Sequence, residues 1–192
     1  DSAISSLMDI ARQTSACGVL FAVGLPVTVG ADRFNCAAFV LRGKVLAMVP
    51  KTFIPNYGEF YEDRWFSSWN GKRTTISLGE GFESIPFGTD IIIEDKNDPL
   101  VRIACEICED LWVPLSPSTR HALNGATVIA NLSAGNEVAG KAEYRRMLVQ
   151  AHSAKICGAY VYANAGCDES TTDMVFSGHN LIALNGSIKK ES

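Results

Sequence analysis

Cys105 and Cys108 stand three apart in VRIACEICEDLW (Val101 to Trp112), and Glu109 and Asp110 follow directly. A Cys-x-x-Cys of this kind is a redox pair, half of a zinc site, or the seat of a single nucleophile. A redox pair needs a helix N-terminus or nearby cations to lower one thiol pKa. Here Glu106, Glu109 and Asp110 surround the thiols and push the other way. Side chains three apart on a strand also point to opposite faces. Zinc requires a second ligand pair at short spacing, and His121, His152 and His179 are each isolated. A lone nucleophile remains. Cys105 lies inside the apolar run and reads as a small buried hydrophobe. Cys108 lies where the strand gives way to polar residues, a position exposed at the end of a sheet, with the amide of Glu109 next to it as an oxyanion donor. On the residues alone, Cys108 stands between a catalytic nucleophile and a structural cysteine. No histidine forms a recognisable pattern with it, which invites activation by a lysine and a carboxylate instead.

Two other places could do chemistry. Lys51 follows the apolar run VLAMVP, so it closes a strand and opens a long loop. It is either a solvated lysine or a cation held at a sheet edge, able to stabilise an oxyanion. The stretch GNEVAGKA (Gly135 to Ala142) fits G-x-x-x-x-G-K between a strand and a helix, the context of a phosphate-binding loop. Ala142 replaces the hydroxyl that would hold Mg²⁺, and Glu137 puts a carboxylate where phosphates would sit, so a plain loop and helix start is the competing reading.

The elements that must position these residues alternate. Ile4, Leu7, Met8 and Ala11 have helical spacing, and VLFAVGLPV follows as a buried strand. FNCAAFVL and KVLAMVPK flank Arg42-Gly43 as a hairpin. Residues 56–83 form an irregular loop, long enough to suggest a functional role. SIPFGTDIIIED, PLVRIACEIC, ATVIANLSA, AYVYANA and MVFSGHNLIAL read as strands. Helices are expected near 118–124 and 141–157, the second with Tyr144, Met147, Leu148, Ala151, Ala154 and Ile156 on one apolar stripe. Helices that close on glycine and lead into apolar strands give an α/β fold with helices covering a sheet. With 192 residues, 47% hydrophobic and 20% charged, the chain reads as one globular domain. A net charge of -4 without a basic stripe argues against nucleic acid, and no apolar run is long enough to span a membrane. Six dispersed cysteines fit a reducing compartment.

Four segments, taken in order, resemble the nitrilase (carbon–nitrogen hydrolase) superfamily: VPKTFIPNYGEFYEDRWF, EICEDLWVPLSPS, ANLSAGNEVAGKAEYRR and ESTTDMVFSGHNLIALNG. More narrowly they look like the glutaminase domain of glutamine-dependent NAD⁺ synthetases. The resemblance implies an α-β-β-α four-layer sandwich, here incomplete at both ends, and a Glu-Lys-Cys triad. It makes Cys108 the nucleophile toward the glutamine side-chain amide and Lys51 the triad lysine, with the Glu109 amide in the oxyanion hole. For glutamine binding it points to Tyr57 and to the stretch from Ser133 through Gly135 to Lys141. Gly135 stands where some members carry a hydroxyl, and Lys141 where some carry arginine, which changes the donor geometry. Glu59 and Glu62 are similar to an additional loop acid of the family and are supporting candidates.

The resemblance further implies a cytoplasmic enzyme that commonly assembles as a homo-oligomer. It implies no metal or cofactor for residues 1–192, with ATP and Mg²⁺ belonging to a synthetase domain that receives the ammonia. Nothing in this sequence is similar to that domain's Ser-Gly-Gly-x-Asp-Ser loop. The triad glutamate is expected on a strand preceding this segment, so the chain reads as the middle of a glutaminase domain, nearly inactive alone. A stand-alone amidase of the same superfamily acting on another amide, and a non-catalytic module of the same fold, are the alternatives.

Overall fold

The computed structural model describes residues 2–69, 71–171 and 173–192. By its internal contacts the chain divides into two compact units, one of Asp1–Asn56 and Phe60–Ile91, the other of Tyr57–Glu59 and Ile92–Ser192.

The first unit opens with helix α1 (Ser2–Gln13), which buries Leu7 and Ala11. Strands β1 (Phe21–Val29), β2 (Asp32–Leu41) and β3 (Lys44–Pro50) follow. Arg42 and Gly43 join β2 to β3 with φ of 47° and 82°, the two left-handed residues of a tight hairpin. Two short strands, β4 (Thr74–Ile76) and β5 (Ile85–Phe87), complete a five-stranded sheet in the order β1-β2-β3-β5-β4. β5 runs parallel to β3 and the other pairs are antiparallel. Leu7 and Ala11 of α1 share one core with Leu25, Val27, Phe34, Cys36, Ala38, Val40 and Met48. In β2 every residue from Cys36 to Val40 is buried, so that strand is covered on both faces.

The second unit holds a six-stranded sheet in the order β11-β10-β9-β8-β7-β6. Its strands are β6 (Ile92–Glu94), β7 (Arg102–Ile107), β8 (Val128–Ser133), β9 (Ala159–Asn164), β10 (Leu181–Leu184) and β11 (Ser187–Glu191). β7, β8 and β9 are parallel, connected through helices α2 (Pro117–Leu123) and α3 (Lys141–Lys155). Parallel neighbours require such crossovers; α2 closes on the left-handed Gly125, whereas α3 closes on Cys157, at φ 53°, and not on the glycine expected from the sequence.

Four other sequence expectations change. Residues 56–83 are not irregular throughout, because β4 lies within them and pairs with β5. SIPFGTDIIIED is not one strand: Gly88 N–H bonds Met48 O at 3.2 Å, ending β5 in one sheet, and β6 begins the other. The last strand is shorter than MVFSGHNLIAL, and a further strand, β11, returns from it through Asn185-Gly186, with φ of 48° and 81°. The apolar stripe assigned to α3 faces largely outward, with Tyr144 and Met147 about half exposed. The buried face carries Arg145, Val149, His152 and Ser153 instead. Arg145 can lie there because its guanidinium meets Glu137 at 3.1 Å and His179 at 2.7 Å, so the burial is compensated by charge-assisted bonds.

Candidate active site

β7 carries the sequence's two cysteines to different fates. Cys105 is 1% exposed, and burial, reinforced by Glu106 and Asp110, pushes its thiol well above the ordinary range. Cys108 begins the short helical turn Cys108–Leu111 directly after β7 and is only partly covered. Its φ is 48°, a left-handed conformation that side-chain-bearing residues rarely adopt and that tends to mark functional turns. Asp110, buried in the same turn, accepts the Ile107 N–H at 2.9 Å and so helps fix the backbone just ahead of Cys108. The pairing of Ile107 with Leu132 places Cys108 level with Ser133 at the ends of adjacent parallel strands.

Around this strand end the second unit gathers most of the residues singled out in the sequence. Tyr57 donates its hydroxyl to both carboxylate oxygens of Glu109, at 3.0 and 2.9 Å. Partial burial, the bond to Glu109 and the charges of Glu109, Cys108 and Glu59 raise the Tyr57 hydroxyl to about 12, so it remains a donor. Glu59 accepts from the Asn136 amide, and the Asn136 carbonyl oxygen in turn accepts from the Lys141 ammonium. Lys141 Nζ also lies 5.3 Å from the centre of the Trp112 ring, within cation–π range. Burial and the neighbouring Arg145 lower the Lys141 pKa, opposed by the nearby Glu59 and Glu137 carboxylates. Gly135 is pinned from both sides by Asn164, whose Oδ1 accepts the Gly135 N–H at 2.9 Å while its Nδ2 donates to the Gly135 carbonyl at 3.2 Å.

Lys51 and Glu62 belong to the first unit. Lys51 is 2% exposed, which removes the solvated-lysine reading. Its ammonium pairs with Glu62, whose other carboxylate oxygen accepts from Asn35 Nδ2 at 2.6 Å. The long loop that Lys51 opens thus folds back to give that cation a carboxylate.

The phosphate-loop reading of GNEVAGKA does not survive. Gly135 N–H is held by Asn164, Glu137 N–H by the Val175 carbonyl at 2.7 Å, and Lys141 N–H by the Val138 carbonyl at 3.0 Å. Those three amides are committed to protein partners, and the lysine ammonium that would meet phosphate is turned to Asn136. Among the described residues no group of three His, Cys, Asp or Glu side chains could hold a metal ion, and no helix is long and apolar enough to cross a membrane.

Sequence reasoning missed Asn136, Trp112 and the buried Glu106. Asn136 lay inside the stretch assigned to substrate, but nothing in its type distinguished it from other loop residues. Its role as the bridge between Glu59 and Lys141 spans 77 residues of chain on one side.

No family model matches the chain. Over all 192 residues it is 40% identical to the glutamine-dependent NAD(+) synthetase of Mycobacterium bovis, and it spans 28% of that relative's length. The solved glutamine-dependent NAD(+) synthetase from Cytophaga hutchinsonii superposes with a TM-score of 0.84 at 32% identity, covering 99% of this chain and 30% of that one. Saccharomyces cerevisiae Nit3, a member of the nitrilase superfamily, shares the fold with a TM-score of 0.72 at 15% identity, covering 100% of this chain and 61% of that one.

Proposed function

We propose that this chain is the nitrilase-type glutaminase part of a glutamine-dependent NAD(+) synthetase, in which Cys108 attacks the side-chain amide of glutamine; its 40% identity to one such synthetase over all 192 residues and its superposition on another support the reading. The observation that carries this reading is Cys108 itself, partly open and held at φ 48° at a strand end, beside the Tyr57–Glu109 pair and the Glu59–Asn136–Lys141 chain.

The reaction follows from those groups. In the Glu-Lys-Cys triad that the resemblance implies, the triad glutamate, which is none of the residues named above, takes the proton of the Cys108 thiol, and the thiolate sulfur attacks the amide carbon. The carbonyl oxygen becomes an oxyanion, which the Glu109 N–H supports by its place after the nucleophile. The superfamily resemblance gives the Lys51 ammonium the second share of that work, with Glu62 holding the lysine in place. The carbon–nitrogen bond breaks, the nitrogen takes up the proton and ammonia leaves, with a thioester on Cys108. Water then attacks the thioester carbon and releases glutamate, restoring the thiol. Tyr57, Glu109, Ser133, Gly135 and Lys141 bind the glutamine. Glu59 supports them by holding Asn136 against Lys141.

In this reading the residues present form one carbon–nitrogen hydrolase domain, and the ammonia passes to a synthetase domain. That domain uses ATP and Mg²⁺ to amidate nicotinic acid adenine dinucleotide. Six free thiols support a reducing, cytoplasmic setting. Covalent capture by a glutamine-shaped electrophile tests the reading: the adduct is expected on Cys108, and an adduct confined to Cys105 overturns it.

A further inference from the structure

Glu106 is 0% exposed, two residues before Cys108, and the proposed chemistry does not use it. One carboxylate oxygen accepts the Ser118 N–H at 2.8 Å, and the other accepts the Tyr160 hydroxyl. The Tyr160 oxygen accepts from Asn131 Nδ2 at 3.0 Å, and Asn131 Oδ1 accepts the Ser133 hydroxyl at 2.7 Å. Tyr160 and Asn131 are as deeply buried as Glu106, while Ser133 is only partly covered. The four side chains therefore form a dry relay across β7, β9 and β8 that emerges at the strand end level with Cys108.

Such a relay has only two self-consistent directions. Burial pushes the Glu106 pKa up, against the bonds from Tyr160, Ser118 and Asn131 that favour its charged form; as a carboxylate it can only accept, so Tyr160 donates to it. Tyr160 has one hydrogen, so the Asn131 face toward it must be the NH₂ group. The Asn131 oxygen then faces Ser133, whose hydrogen turns inward. Ser133 is left presenting lone pairs, not a hydrogen, to whatever lies at the strand end. We propose that Glu106 is a positioning residue that fixes the direction of this relay and thereby makes Ser133 a hydrogen-bond acceptor for an N–H group of the substrate. The inference rests on the glutaminase reading, which supplies N–H groups in the amide and the ammonium of glutamine.

Glu106→Gln separates direction from structure. The glutamine oxygen can still accept the Ser118 N–H, while its NH₂ donates to Tyr160. Tyr160 then donates to a flipped Asn131, which donates to Ser133, and the Ser133 hydrogen turns outward. Every group stays paired, so the fold is retained while the polarity of Ser133 reverses.

The measurement is protection of Cys108 from iodoacetamide by glutamine in this chain, which yields a glutamine Kd without turnover. Glu106→Gln is expected to raise that Kd about tenfold, the equivalent of about 1.4 kcal/mol, with Tm within about 2 °C of the parent. In a Ser133→Ala background the same change is expected to alter Kd by less than about twofold, since no hydroxyl remains to reverse. Tyr160→Phe, which cuts the relay in its middle, is expected to lower Tm as well as raise Kd, because Asn131 and Glu106 lose a partner. A large loss of Tm in Glu106→Gln with unchanged Kd overturns the inference, since that is the signature of a purely structural carboxylate. An equal rise in Kd with and without the Ser133 hydroxyl overturns it too. If glutamine gives no protection even in the parent chain, the glutaminase reading falls and this inference with it.

Discussion

Arg145 is fully buried in the second unit, and replacing it with methionine shows how much the loop before α3 depends on it. Its guanidinium donates to Glu137 Oε2 from both terminal nitrogens at 3.1 Å, to His179 Nδ1 at 2.7 Å and, weakly, to the Asn136 carbonyl at 3.4 Å. Hydrogen bonds to charged groups contribute about 1.5–3 kcal/mol each, and breaking a buried pair costs about 3–5 kcal/mol. Two features pull the figure down. Glu137 is 25% exposed and keeps the Ser177 hydroxyl at 2.6 Å, so water and serine compensate part of its loss. Arg145 Nε is buried with no partner among the described residues, and methionine removes that unmet donor. The net expectation for Arg145→Met is a loss of about 3 kcal/mol, or about 6–12 °C in Tm for a chain of this size. Urea titration gives the free energy, and Glu137→Gln in the same assay is expected to cost about 1 kcal/mol. Stability equal to or above the parent in Arg145→Met refutes the reasoning. It would mean that burying the guanidinium costs as much as its bonds return, as some buried ion pairs do.

Acid should act through Glu191, whose carboxyl is held at about 2 by its hydrogen bonds to Arg146 and His179, against an ordinary value of 4.5. A depressed carboxylate stabilises the fold above its unfolded pKa and loses that contribution as pH falls, so the urea-midpoint gap between the parent and Glu191→Gln should be full near neutral pH and close between 4.5 and about 2. A gap that widens on acidification contradicts this sign. Asp110→Ala removes the acceptor of the Ile107 N–H ahead of the strained Cys108 backbone. It is expected to cost about 1–3 kcal/mol and to slow alkylation of Cys108. Unchanged stability and labelling rate would show that the turn holds itself.

The parts legible in the sequence were those encoded locally. Arg42-Gly43 gave its hairpin because left-handed backbone is scarce and the flanking runs are long. Asn185-Gly186 carries the same signal, but Ile188 is the only apolar residue in the strand after it; β11 is an edge strand, which does not need an alternating apolar pattern. The α3 stripe failed for a different reason. Periodicity ranks residues by type, whereas the buried face is chosen by partners, and Arg145 found Glu137 and His179. The same holds at the candidate site. The strand-end position of Cys108 could be read from the change from apolar to acidic residues. The Glu59–Asn136–Lys141 chain and the Glu106 relay could not, because the links Glu59–Asn136, Glu106–Tyr160 and Asn131–Tyr160 join residues far apart in the chain that only the folded sheet and its loops bring together.

The central claim, that Cys108 is the nucleophile toward glutamine, is tested most directly by intact-mass and peptide mapping after treatment with a diazoketone analogue of glutamine. A single adduct is expected on Cys108, retained in Cys105→Ala, absent in Cys108→Ala and suppressed by added glutamine. An adduct that persists in Cys108→Ala and vanishes in Cys105→Ala would contradict it.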